Sequence, residues 1–172
     1  MNTKLSIILL LLLTVSTVAS AQFRHIKGVN SVDLGVGASK YGLHYHGSYV
    51  KYFSQKMYGK FTGFYELGSD AGLKFTSIGG DAAVAYNFLK VGEGIYINGI
   101  GGLTVAMDKI TEGAETFEVD QKLKYGFLFG GEVEFFISDK IVFVIGADQR
   151  LVLGADFGNY RAYYRGGLRF NF

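Results

Sequence analysis

Few residues are spaced for chemistry. His44 and His46 stand two apart, so on an extended strand both imidazoles face one side, as a pair of metal ligands requires. No third His or Cys lies nearby, and two ligands do not complete a site, so the pair reads as ordinary lumen or loop residues. The acidic stretch Glu112 to Asp120 could attract a cation, but it lacks the D-x-[DN]-x-[DN]-G spacing of a calcium loop and reads as a solvated connection. Glu132 and Glu134 also share a face, as paired catalytic carboxylates would. Lys and Arg residues on the same face of other strands make internal salt bridging the expected use. Gly99-x-Gly101-Gly102 opens no helix, so it is no phosphate loop, and neither a G-x-S-x-G elbow nor a Ser/His/Asp set can be assembled. No catalytic, cofactor-binding or metal-binding residue is expected, and the chain is not expected to be an enzyme.

Period-two alternation shows what must carry these residues. Val32, Leu34, Val36 and Ala38 share one face against Ser31, Asp33, Gly35 and Gly37. Further strands follow over Leu43 to Phe53, from Met57, over Leu73 to Leu89 and from Ile95. Met107 to Gln121 is expected to be the longest polar connection. Beyond it, Leu123, Tyr125, Phe127, Phe129, Val133 and Phe135 alternate with Lys122, Lys124, Gly126, Gly130, Glu132 and Glu134, and a seventh strand starts at Ile141. The eighth sets Tyr160, Ala162, Tyr164, Leu168, Phe170 and Phe172 against Arg161, Tyr163, Arg165, Arg169 and Asn171. So many outward aromatics require lipid as the outer solvent, and the charged face must point inward and pair. Backbone groups in a bilayer have no water to bond, so the sheet must close. The expected fold is all-β, an eight-stranded antiparallel transmembrane barrel with a meander order, filled by side chains rather than open as a pore.

Composition agrees with this. The 172 residues fit one domain, Pro is absent as a sheet without edges demands, and the absence of Cys rules out disulfides. A net charge of +2 offers no footprint for nucleic acid, so direct binding to it is not expected. Lys4, the apolar run Leu5 to Val18 and Ala19-Ser20-Ala21 before Gln22 read as a cleaved signal peptide over residues 1–21, leaving 22–172 as the barrel domain. Short turns near Gln55, Gly92 and Asp139 alternate with connections near Lys40, Ser69, Glu115 and Asp156. With both termini periplasmic, the second set faces outward. The alternating Leu168, Phe170 and Phe172 are expected to act as an insertion signal.

Four segments carry a resemblance: Arg24-His25-Ile26-Lys27-Gly28, Lys51-Tyr52-Phe53-Ser54, Ala85-Tyr86-Asn87-Phe88-Leu89-Lys90 and Asp156-Phe157-Gly158-Asn159-Tyr160-Arg161. In this order they resemble the TraO conjugal transfer proteins of Bacteroidetes conjugative elements. The resemblance implies an outer-membrane component of a conjugative, type IV secretion-like apparatus, in contact with outer-membrane lipid and with other transfer proteins in a structural or adaptor role. It carries over no site residue and no cofactor. The competing function is a free-standing small barrel for envelope stability, adhesion or small hydrophobic ligand binding.

Overall fold

Outward apolar and inward polar side chains settle into eight strands. The computed structural model describes residues 25–70, 72–112, 123–154 and 159–172. Its strands are β1 (Asn30–Ser39), β2 (Gly42–Tyr52), β3 (Met57–Asp70), β4 (Leu73–Val91), β5 (Ile95–Glu112), β6 (Lys124–Phe136), β7 (Ile141–Val152) and β8 (Tyr160–Asn171). Each pairs antiparallel with the next, and β8 returns to β1 to close the barrel. Across that seam Val32 faces Phe170, Asp33 faces Arg169 and Leu34 faces Leu168, so the inside and outside phases match where the two ends of the sheet meet.

Local chemistry sets the short turns. Ser54 Oγ accepts the amides of Lys56 and Met57, and Ser138 Oγ accepts that of Ile141. Ser39 Oγ does the same for Tyr41 and Gly42. Each hydroxyl satisfies turn amides that the ladder leaves free. These turns alternate between the two ends of the barrel. One end, here the terminal end, holds residues 25–29, Phe172 and the turns 53–56, 92–94 and 137–140; the turn at Lys40–Tyr41 marks the opposite, loop end.

The polar connection expected from Met107 starts later. β5 continues to Glu112, with Asp108 opposite Ser77 and Lys109 opposite Thr76 on β4. Asp108 keeps the inward phase of Thr104 and Ala106, and an arginine inside the barrel receives its charge. In sequence such a charge looks like a loop; across the lumen it is a partner. β4 carries register shifts at Lys74/Phe75 and Asn87/Leu89. At the second, the Asn87 side-chain amide donates to the carbonyls of Leu89 and Ile97 and to Asn98 Oδ1, which fixes the bulge. The proposed signal peptide and residues 113–120 of the acidic stretch lie outside the described residues.

The outer face is a band of large apolar side chains. Leu34, Phe61, Leu103, Phe129 and Ile145 all stand exposed, while the core that protects polar groups lies within the barrel. An apolar band this large around the molecule is a lipid-facing surface.

Candidate functional site

The lumen is where the chain concentrates its chemistry. Among the described residues, seven buried carboxylates face six buried Lys and Arg side chains. Burying such charges costs several kcal/mol each unless they are paired and hydrogen-bonded, and here they are arranged in layers along the barrel.

The layer nearest the terminal end is built on Arg169 of β8. Its guanidinium donates to both Asp33 oxygens at 2.9 and 3.1 Å, to Glu132 Oε1 at 2.6 Å, to Tyr52 OH at 2.8 Å and to Glu134 Oε1. All five donors of the fork are used. Lys60 Nζ lies 2.7 Å from Asp33 and 3.1 Å from Glu132, and Tyr58 OH donates to Glu132. One cross-brace thus ties β1, β2, β3, β6 and β8.

Toward the loop end, Arg161 forks onto Asp108 at 2.6 and 3.1 Å and reaches Ser77 Oγ at 3.3 Å. Glu66 accepts from Tyr163 OH at 2.7 Å and from Ser39 Oγ at 2.6 Å. Between these layers, Arg150 donates to Asp81 at 2.8 Å, while Arg165 lies 2.9 Å from Asp148 and 3.3 Å from Glu132. Arg150 is also sandwiched, its guanidinium carbon 4.0 Å from the Phe64 ring centroid and 4.3 Å from that of Tyr163. Aromatic rings line both ends of this polar column. Tyr41 and Phe75 pack edge-on at 5.9 Å at the loop end, with Leu73 and Ile110 against them. Tyr52, Tyr58, Tyr96 and Phe136 close around His25 at the terminal end.

Inward glycines make room for these large groups. A Cβ on Gly35 would lie 2.5 Å from the Gly166 carbonyl oxygen and 2.6 Å from the His46 ring, and one on Gly37 3.1 Å from Arg165 Cβ. The wall is bare where the lumen is fullest.

The residues singled out in sequence fall as follows. Glu132 and Glu134 are together in the terminal layer, each bound to Arg169, which is the salt bridging expected of them. His44 and His46 are buried side by side with ring centroids 5.5 Å apart, and the His44 ring also packs on Tyr163 at 4.8 Å. No set of three metal-ligating side chains forms among the described residues. Gly99, Gly101 and Gly102 lie within β5.

A closed ring of eight strands, apolar outside and ion-paired inside, invites comparison with solved membrane barrels. OprG of Pseudomonas aeruginosa superposes with a TM-score of 0.64 at 8% identity, over 89% of this chain and 99% of its own. The N-terminal barrel domain of Pseudomonas aeruginosa OprF gives 0.63 at 15% identity, over 85% and 98%. Ail, the attachment invasion locus protein of Yersinia pestis, gives 0.57 at 13%, over 86% and 100%. The fold is that of the small outer-membrane barrels. No protein-family model matches the chain, and no curated protein matches its sequence.

Two residues of the lumen are not found by reading composition and strands alone. The charge of Asp108 suggests a loop, although the parity of Thr104, Ala106 and Asp108 marks it as inward. His25 precedes the first strand, so no periodicity includes it, and its partners lie 30 and 109 residues away in sequence.

Proposed function

We propose that the protein is a closed, free-standing barrel of the bacterial outer membrane that stabilises the envelope and passes no solute. The observation that carries this is the filled lumen: layered ion pairs brace opposite walls, and aromatic side chains stop both ends. Eight strands enclose only enough room for such a filling. The terminal end faces the periplasm in this reading, and the loop end faces outward. The lumenal carboxylates serve as structural counter-charges, and the protein catalyses no reaction.

Planar-bilayer recording of the protein purified from outer membranes tests the closed lumen. No conductance above that of the bare bilayer is expected, and stable ohmic steps would reject the reading. Deleting the gene is expected to sensitise cells to detergents and large antibiotics. An epitope placed between Leu153 and Tyr160 is expected to be reached by antibody on intact cells, and labelling only after lysis would reverse the orientation.

A second reading, an adaptor barrel that docks other proteins of a conjugative transfer apparatus, draws its support from the sequence resemblance. Donor transfer frequency after deletion decides it. An unchanged frequency, with the remaining transfer proteins assembled, removes this role and leaves the closed barrel intact.

A further inference from the structure

The terminal mouth holds a second arrangement around His25, beside the ion-paired brace. A turn over residues 26–29, closed by the Val29 amide on the Ile26 carbonyl and tied to β2 by the Gly28 amide on the Tyr52 carbonyl at 2.8 Å, directs His25 into the barrel. There it is 3% exposed. Its ring lies flat on Tyr96, centroids 4.2 Å apart and planes 15° apart. Tyr52 at 4.8 Å, Tyr58 edge-on at 5.9 Å and Phe136 at 6.0 Å wall the other sides. Glu134 Oε2 sits 2.6 Å from Nε2, and the Gln55 carbonyl lies 3.2 Å from Nδ1.

Both ring nitrogens therefore face an acceptor. A neutral imidazole carries one N–H, so the doubly protonated ring alone can donate to both. Aromatic rings around a position with a carboxylate at its end form a cage for a flat cation: the ring faces attract the charge and the carboxylate fixes the N–H direction. The carboxylate is itself held in place, since its other oxygen is bound to Arg169. Among the described residues, the small surplus of buried carboxylates over buried Lys and Arg adds to the attraction. His25 occupies the cage with a backbone φ of 55°, which few non-glycine residues adopt. The contacts of the ring hold it there against its backbone preference.

We propose that Tyr52, Tyr58, Tyr96, Phe136 and Glu134 form a binding site for a planar nitrogen cation of the imidazolium or guanidinium type, and that His25 is its resident, self-supplied ligand. A round ammonium cannot lie flat on Tyr96 and donate to Glu134 at once, which sets the selectivity. Loss of His25 alone leaves the ion-paired layers behind the site in place, so the closed lumen and this site fail separately.

The experiment is chemical rescue of His25→Ala, purified from outer membranes and followed by heat-modifiable migration. Imidazole, at a pH about one unit below the ordinary histidine value of about 6.5, is expected to raise the melting temperature of the variant saturably toward that of the natural protein. The natural protein, whose cage is filled, should not respond. Methylguanidinium should substitute for imidazole and tetramethylammonium should not, while His25→Ala/Glu134→Gln should lose the rescue. Equal responses from the natural protein and His25→Ala, or no response from His25→Ala, would overturn the proposal. Should His25→Ala not fold in cells, it is to be refolded from urea with and without imidazole. Recovery that depends on imidazole supports the site, and failure in both refutes it.

Discussion

Arg169 shows how a single side chain sets the energetics of the lumen. It pairs with Asp33, Glu132 and Glu134 together, and its removal leaves these three buried carboxylates to Lys60, Arg165 and His25. Arg169→Met is expected to cost about 3–5 kcal/mol, the range for orphaning a buried charge, as read from equilibrium urea unfolding in micelles. Glycine gives a sharper contrast. Gly35→Ala pushes a methyl against the Gly166 carbonyl and the His46 ring and is expected to cost about 1–3 kcal/mol. Gly63 meets nothing within 4 Å on the lipid side, so Gly63→Ala should be neutral or mildly stabilising in the same assay. Which residues point inward was legible from alternation: Arg161, Arg165 and Arg169 fell on the buried face. Which carboxylate each would meet was not, because the partners are set by the closing of the sheet rather than by spacing along the chain.

β5 is where the sequence misleads and the physics explains why. Polar residues past Met107 suggest a loop, yet the strand continues because the lumen supplies Arg161 for Asp108. Amides over Met107–Ile110 are therefore expected to be protected in hydrogen exchange. Fast exchange there would return this stretch to the connection. The opposite face of the same strand gives a second test. Leu103, 60% exposed, lies on the lipid side, and Leu103→Lys should cost about 2–4 kcal/mol if it sits at the bilayer midplane. Strand number, order and facing were readable because a half-buried sheet enforces a period of two. The bulge at Asn87 was not, since it depends on a side-chain amide reaching the neighbouring strand.

As a whole, the molecule inverts a soluble protein: the apolar surface lies outside, and the polar core is held by paired charge. Its membrane role was legible because no water-soluble packing accommodates that outer face. The stopper at His25 was hidden, since it depends on contacts across the mouth that no local pattern records. The terminal brace has a further consequence for how the chain reaches its native state. Asp33 and Arg169 are 136 residues apart, and the other members of the brace lie between them on β2, β3 and β6. No fragment of the barrel contains a neutral subset of this cluster that includes Arg169 and all its acidic partners. The Asp33–Arg169 pair therefore forms only when β1 meets β8, so seam closure completes the charge compensation of the terminal layer. Contacts of such long sequence separation also predict slow, cooperative assembly, with few half-closed barrels lasting long enough to be trapped.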